Sequence, residues 1–123
     1  MKTLLAILFC CASVHAMDRF EALSQIESGN RDNVTGASGE ISRFQIKKSV
    51  WDSETSLPYS SAKNPFTAEN VAKSVMSKRV SNFVFHNHRQ PTAFETYQLW
   101  NPRCPRDTAQ RFSNLVNSKT KNQ

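Results

Sequence analysis

Apolar residues at helical spacing mark the start of the folded part of the chain. Phe20, Leu23 and Ile26 recur every three residues, with Ala22 beside them, and define one face of a predicted helix. Gly29 follows this stripe, and a glycine at that place is typical of a helix that ends in a left-handed residue. The pattern therefore predicts a first helix with one buried face.

The longest apolar stripe lies in the second half of the chain and predicts the central core helix. It follows residues 64–67, in which Thr67 is the expected N-cap, and it ends at the polar segment 86–91. Its apolar positions are Val71, Ala72, Val75, Met76, Val80, Phe83 and Val84.

Two shorter helices follow the central one. Thr92-Ala93-Phe94-Glu95 has the pattern of a capping box that opens a helix, and Pro102 and Pro105 end it. A last helix is predicted from about Arg106 to Asn117. The core positions of this last helix are Ala109, Phe112, Leu115 and Val116.

The chain between the first and the central helix is less regular. Residues 30–42 are rich in Asn, Asp, Thr, Gly and Ser and predict a loop or a short hairpin. Residues 44–51 predict a short helix, and residues 53–63 have the composition of an irregular connection. The expected fold class is therefore mainly α, with at most one small β-hairpin.

The N-terminal residues have the pattern of a secretory signal peptide. Lys2 precedes an apolar run at residues 4–11, and small residues up to Ala16 provide a cleavage site. The run is shorter than the roughly 20 residues that cross a bilayer. We expect residues 1–16 to be removed and residues 17–123 to form one domain, secreted or periplasmic and not membrane-spanning. A lipid anchor on Cys10 is the weaker alternative, because the bulky Phe9 precedes it.

The net charge and the cysteine content exclude few classes of partner. Loss of Lys2 with the signal lowers the net charge from +6 to +5. A basic surface favours polyanions such as cell-wall polymers, nucleic acid or anionic lipid, and it also simply aids solubility. Cys104 would be the sole remaining cysteine, so we expect no internal disulfide and a monomer, although Cys104 allows a cross-linked dimer.

Glu27 is the first candidate for chemistry. It lies four residues after Leu23 and seven after Phe20, at the edge of the buried face and in the last helical turn. Burial and the negative end of the helix dipole both disfavour its ionised form. A carboxyl group that stays protonated near neutral pH can give its proton to the leaving oxygen of a glycosidic bond. The alternative is that Glu27 is a partly exposed glutamate near a helix end, without a catalytic role.

The residues around Glu27 resemble the motif of the lysozyme-like lytic transglycosylases. That motif begins Glu-Ser and continues to Gly-x-x-Gly-Leu-Met-Gln. Glu27-Ser28 resembles its first part and residues 39–45 its second, with Gln45 placed 18 residues after Glu27 as in the soluble bacterial members. Leu99-Trp100-Asn101-Pro102-Arg103 resembles the family's Ala-Tyr-Asn-Ala-Gly segment. The departures are Ser42 for a glycine, Arg43 for an apolar residue and Trp100 for a tyrosine.

The resemblance implies a lysozyme-like domain that cleaves the β-1,4 bond between N-acetylmuramic acid and N-acetylglucosamine in peptidoglycan strands, without a metal or an organic cofactor. Glu27 would act as the acid and then the base. Ser28, Gln45, Trp100 and Asn101 would bind the glycan. Tyr97, one turn before Trp100, is a candidate for the hydroxyl that a tryptophan lacks, and core packing is the alternative for both aromatic residues.

The role of Glu40 determines which product of glycan cleavage is expected. Some lysozymes of this superfamily, the goose type among them, keep a second carboxylate on the hairpin, where it activates a water and gives hydrolysis with inversion. Without that carboxylate the sugar's own 6-hydroxyl attacks and leaves a 1,6-anhydro product. A solvated loop glutamate is the plainer interpretation of Glu40, and Asp32 has the same ambiguity with less positional support.

Two other function classes remain open at this point. The string His86-Asn87-His88 and the basic charge suggest a secreted metal-dependent nuclease, but neighbouring residues offer no clear third ligand, so we expect neither a metal nor a nucleic-acid partner. The departures at Ser42, Arg43 and Trp100 also allow a glycan-binding module that has lost catalysis. Glu27 argues against this module, because a buried acid without a catalytic role only costs stability.

Overall fold

Five α-helices account for most of residues 17–117, the part of the chain that the computed structural model describes. They are α1 (Arg19–Ser28), α2 (Lys48–Glu54), α3 (Pro65–Asn87), α4 (Ala93–Trp100) and α5 (Arg106–Val116), and a short 3-10 helix, Tyr59–Lys63, precedes α3. The prediction of a mainly α fold is confirmed. The predicted signal segment, residues 1–16, lies outside the described residues.

Local sequence signals set the ends of α1 and α4. The Asp18 side chain accepts hydrogen bonds from two backbone N–H groups in the first turn of α1. Gly29 ends α1 with a φ of 65°, which is the left-handed residue that the sequence predicts. At α4, the Glu95 N–H donates to Thr92 Oγ1 at 3.2 Å and the Thr92 N–H donates to Glu95 Oε1 at 3.0 Å. The predicted capping box is therefore present.

The start of α3 differs from the prediction that Thr67 is its N-cap. The side chain of Asn64 accepts hydrogen bonds from the backbone N–H groups of Phe66 and Thr67, at 3.0 and 3.2 Å. Pro65 then occupies the first helical position, where its missing N–H costs nothing and its fixed φ suits the helix. Asn64 is therefore the N-cap, and α3 begins three residues earlier than a Thr67 cap would place it.

The segment before α2 is a turn, although a helix was expected from Phe44. Ser42 and Gln45 have φ values of 72° and 50°, which an α-helix does not accept. The helix consequently begins only at Lys48 and continues to Glu54. The connection after it was expected to be irregular, but it contains the short 3-10 helix.

Residues 30–47 form the loop between α1 and α2. Isolated antiparallel bridges join Thr35 to Ile41 and Ile41 to Ile46, so the loop contains a very small hairpin. The Gly36 N–H donates to the Glu40 carbonyl at 2.7 Å and closes the tip. This arrangement agrees with the predicted loop or short hairpin.

The core surrounds the N-terminal half of α3. This helix packs against α1, α2, α4 and the 3-10 helix, while α5 packs against α1 and α4. Val80, Phe83 and Val84 were expected in the core as well, but they are only partly buried, and of the three Val80 packs against the core. None of the helices in residues 17–117 has both the length and the apolar character needed to cross a membrane. The largest fully buried apolar side chains are Trp51, Tyr97, Phe112 and Leu23.

Candidate functional site

A cleft of about 820 Å³ opens between the loop before α2 and the ends of α1 and α4. It brings together residues that are far apart in sequence, because the C-terminal ends of these two helices both meet the loop. The predicted site residues that line it are Glu27, Glu40, Gln45, Trp100 and Asn101.

Glu27 lies in the last turn of α1 and is partly buried. Burial raises the pKa of its carboxyl group, and the negative charge of Glu40 raises it further. A hydrogen bond from Tyr97 acts in the opposite direction, because it favours the ionised form. The net rise has the direction that the sequence predicts and keeps Glu27 protonated to a higher pH than an ordinary glutamate.

Tyr97 lies directly behind Glu27. Its hydroxyl donates to Glu27 Oε1 at 2.5 Å, while its ring is only 2% exposed and lies 5.4 Å from the ring of Phe112. Burial and the contact with Glu27 raise the pKa of Tyr97 far above its usual range. A hydrogen bond from the Asn101 side chain acts in the opposite direction and lowers this pKa. Tyr97 was expected to bind the glycan; it is not among the residues that line the cleft, and its hydroxyl contacts the Glu27 carboxyl group.

Glu40 and Gln45 face each other across Gly36. A Cβ atom at Gly36 would collide with the side-chain oxygens of both residues, so any larger residue there would require the Glu40 and Gln45 side chains to move. Glu40 Oε2 accepts a hydrogen bond from the Ser38 N–H at 3.1 Å. Gln45 Nε2 donates to the carbonyl of Ser42 at 2.8 Å. These bonds fix both side chains at the edge of the cleft.

Ser28 does not line the cleft. It is 3% exposed, and its hydroxyl donates to the Arg43 carbonyl at 2.8 Å and accepts from the Arg31 N–H at 3.1 Å. Ser28 therefore ties the end of α1 to the loop. Its predicted contact with the glycan finds no support in this placement.

Arg43 and Asp32 form an ion pair within the loop. The guanidinium donates from Nε to Asp32 Oδ1 at 3.0 Å and from Nη2 to Asp32 Oδ2 at 3.3 Å. Neither residue lines the cleft. Arg43 stands where the resembled motif has an apolar residue. Its guanidinium charge is paired within the loop, by Asp32.

Ser42 holds a left-handed backbone without being a glycine. Its φ is 72°, its side chain is buried, and its hydroxyl donates a hydrogen bond to the carbonyl of Ala62. A left-handed conformation costs about 1–2 kcal/mol in a residue with a side chain. The bond to Ala62 offsets part of this cost and anchors the loop to the 3-10 helix.

Arg79 is a cleft residue that the sequence did not single out. Its Nη1 donates to the carbonyls of Leu99 and Trp100 at 2.9 and 2.8 Å, and its guanidinium lies 5.7 Å from the centroid of the Trp100 ring. Burial lowers the pKa of Arg79. No local motif marks such a residue, because its partners lie about 20 positions away on another helix.

The cleft wall also carries positive charge. Lys47 and Arg103 line it together with Arg79. They share the cleft with the carboxyl groups of Glu27 and Glu40, so acidic and basic groups lie on the same surface.

The two histidines of the His86-Asn87-His88 string lie at the C-terminal end of α3. The Nδ1 atom of His86 is 2.8 Å from the Asn82 carbonyl, and His88 is the left-handed residue that follows the helix. Within residues 17–117, no three side chains of His, Cys, Asp or Glu are grouped so that they could hold a metal ion. The structure therefore offers nothing in favour of the metal-dependent nuclease.

Comparison of the chain with models of protein families, with curated proteins and with solved structures found no match. A function proposed for this chain therefore rests on its fold and on the geometry of the cleft.

Proposed function

We propose that the protein cleaves the β-1,4 bond between N-acetylmuramic acid and N-acetylglucosamine in peptidoglycan, with Glu27 as the proton donor. The observation that carries this proposal is the partly buried Glu27 carboxyl group. It has a raised pKa, accepts a hydrogen bond from Tyr97 at 2.5 Å and lines a cleft of about 820 Å³. A protonated carboxyl group beside a substrate-sized cleft is the first requirement of glycosidic bond cleavage.

Glu27 has to act in both protonation states during such a reaction. Burial favours the neutral acid, which gives its proton to the leaving oxygen of the glycosidic bond. The Tyr97 hydrogen bond then stabilises the carboxylate that remains, and this carboxylate can accept a proton in the second step. Tyr97 is thus a positioning residue for the acid.

Backbone conformation supports the resemblance to the lytic transglycosylase motif. Gly39 and Ser42 stand at the two glycine positions of that motif, and their φ values are 84° and 72°. Glycine is the residue that adopts such values most readily. Both positions therefore have a left-handed backbone, including the one where serine replaces glycine, and Gln45 at the end of the segment lines the cleft.

The charges of the cleft suit the proposed substrate. The peptides attached to N-acetylmuramic acid carry carboxylate groups, which Lys47, Arg79 and Arg103 would attract. Trp100 provides an aromatic surface on which a sugar ring can stack, and Asn101 provides an amide. We propose a secreted or periplasmic location, because peptidoglycan lies outside the cytoplasmic membrane.

Two product types follow from the two roles of Glu40. Its charge raises the pKa of Glu27, so the two carboxyl groups interact across the cleft. A Glu40 that activates water gives hydrolysis with inversion and a reducing end, whereas attack by the 6-hydroxyl of the sugar gives a 1,6-anhydro end and needs no second carboxylate.

Mass spectrometry of the soluble fragments released from purified peptidoglycan tests the proposal. The wild-type protein is expected to release fragments, and Glu27→Gln is expected to reduce release at least 100-fold, because the proton donor is lost. Glu21→Gln is the matched control, since Glu21 is an exposed glutamate on the same helix outside the cleft. Equal release by Glu27→Gln and wild type would refute the catalytic role of Glu27.

The same spectra assign the chemistry. Anhydro ends that persist in Glu40→Gln identify transglycosylation, and reducing ends that disappear in Glu40→Gln identify hydrolysis. Sedimentation of the protein with insoluble peptidoglycan, without release by any variant, would instead favour a glycan-binding module.

A further inference from the structure

A second cavity, of about 260 Å³, lies between α1, α3 and α5. It shares no lining residue with the cleft. Its walls are the apolar side chains of Phe20 and Leu23 from α1, Met76 and Val80 from α3, and Phe112 from α5. Most of these side chains belong to the core, so the cavity is an apolar recess that reaches the core from the surface.

Two basic residues also line this cavity. Arg19 Nη1 donates to Thr96 Oγ1 at 3.3 Å, and Arg19 has no carboxylate partner among residues 17–117. Lys73 Nζ lies 5.7 Å from the Phe20 ring centroid and 3.8 Å from Glu69 Oε1, a long and exposed contact. No aspartate or glutamate lines the cavity. An apolar recess with basic groups at its edge fits a ligand that is apolar along its length and negative at one end.

We infer that this cavity binds a free medium-chain alkyl carboxylate. An apolar cavity of about 150 Å³ binds benzene, so a cavity of about 260 Å³ holds on the order of ten carbon atoms. The alkyl chain would lie against Phe20, Met76 and Phe112, with the carboxylate beside Arg19. An alkylamine of the same length would place its charge against those of Arg19 and Lys73. The glycan chemistry of the cleft plays no part in this site.

Isothermal titration calorimetry with hexanoate, octanoate and decanoate tests the inference. Kd is expected to fall about fourfold for each methylene added until the cavity is full, because each buried methylene contributes a similar free energy. Decylamine is expected to bind at least tenfold more weakly than decanoate. No binding of decanoate, or equal binding of decylamine, would overturn the inference.

Substitutions locate the binding site. Ser77 is exposed and lines the cavity, so Ser77→Phe is expected to block the entrance and abolish decanoate binding. Ser81→Phe is the matched control, because Ser81 is exposed on the same helix outside the cavity. Arg19→Gln is expected to weaken decanoate about fivefold and to leave decanol unchanged. Equal decanoate binding by Ser77→Phe and Ser81→Phe would refute this location.

Vesicles distinguish a free ligand from a membrane lipid. Decanoate is expected to bind below its micellar concentration, and Ser77→Phe is expected to leave sedimentation with phosphatidylglycerol vesicles unchanged. Vesicle binding that requires the cavity, without binding of monomeric decanoate, would show that the surface recognises a membrane instead and would overturn the inference.

Discussion

The hydroxyl of Tyr97 donates to Oε1 of Glu27 at 2.5 Å, across 70 positions of sequence. This bond joins α4 to the end of α1 at the wall of the cleft. Burial of the Glu27 carboxyl group favours its neutral form, whereas the bond from Tyr97 favours its ionised form. The protonation of the candidate acid therefore depends on a contact that one substitution can remove.

Tyr97→Phe is expected to raise the pKa of Glu27 further. The substitution removes the hydrogen bond that lowers this pKa and leaves burial and the charge of Glu40, which both raise it. NMR titration of the Glu27 side-chain carboxyl group measures the change without relying on activity. In an active enzyme the alkaline limb of the pH profile should move to higher pH as well. An unchanged or lower pKa in Tyr97→Phe would contradict the role given to this bond.

Glu27→Gln is expected to stabilise the protein at neutral pH. Because the folded-state pKa of Glu27 is raised above its unfolded value, its contribution to stability is full below the unfolded pKa and is lost as pH rises through the folded pKa. Glutamine keeps an oxygen that accepts from Tyr97 and has no charge to bury.

The measurement is thermal unfolding from pH 4 to pH 8. The Tm of Glu27→Gln is expected to exceed that of wild type by a few degrees at pH 8 and by less at pH 4, each kcal/mol being worth about 4–8 °C in a domain of this size. Glu21→Gln, at an exposed position on the same helix, is the matched control. A variant that is less stable than wild type at pH 8 would show that the ionised carboxylate is well accommodated.

Local sequence predicted the features that local physics controls. The capping box at Thr92 and Glu95 and the left-handed Gly29 each depend on residues within one or two turns, and both are present. Glu27 was placed correctly at the end of a helix for the same reason. Its contact with Tyr97 joins residues 70 positions apart, so the sequence identified Tyr97 only as a candidate hydroxyl and did not reveal this contact.

Non-local contacts account for what the sequence did not predict. The family resemblance assigned the Ser28 hydroxyl to the glycan, and no neighbouring residue indicated its bond to the Arg43 carbonyl. Arg79 was passed over because its two acceptors lie on α4. The helix predicted from Phe44 begins only at Lys48, because the positive φ at Gln45 leaves no trace in the pattern of apolar residues.

Substitutions at Ser42 should separate backbone strain from hydrogen bonding. Ser42→Ala loses the bond to the Ala62 carbonyl and keeps the left-handed backbone, so it is expected to destabilise the protein by about 1–2 kcal/mol. Ser42→Gly loses the same bond but relieves the strain, and it should be about 1 kcal/mol more stable than Ser42→Ala. Urea unfolding measures both. An alanine variant as stable as the glycine variant would show that position 42 stores no strain.

Arg79→Met should loosen the cleft wall formed by the end of α4. Arg79 donates to the carbonyls of Leu99 and Trp100 and lies over the Trp100 ring, and hydrogen bonds to a charged group contribute roughly 1.5–3 kcal/mol. We expect a loss of about 2 kcal/mol in the free energy of unfolding, measured in urea. If peptidoglycan is the substrate, KM should also rise, because Trp100 is no longer held against the cleft.

Lys78→Met is the matched control for Arg79→Met. Lys78 is the adjacent residue on α3, and its ion pair with Glu54, at 3.1 Å, is exposed on the lysine side and outside the cleft. Exposed ion pairs contribute about 0–1 kcal/mol, so this variant should unfold nearly as wild type does and keep its KM. Equal losses of stability in the two variants would mean that Arg79 stabilises the fold no more than an exposed surface charge does. The position of Trp100 would then depend on α4 alone.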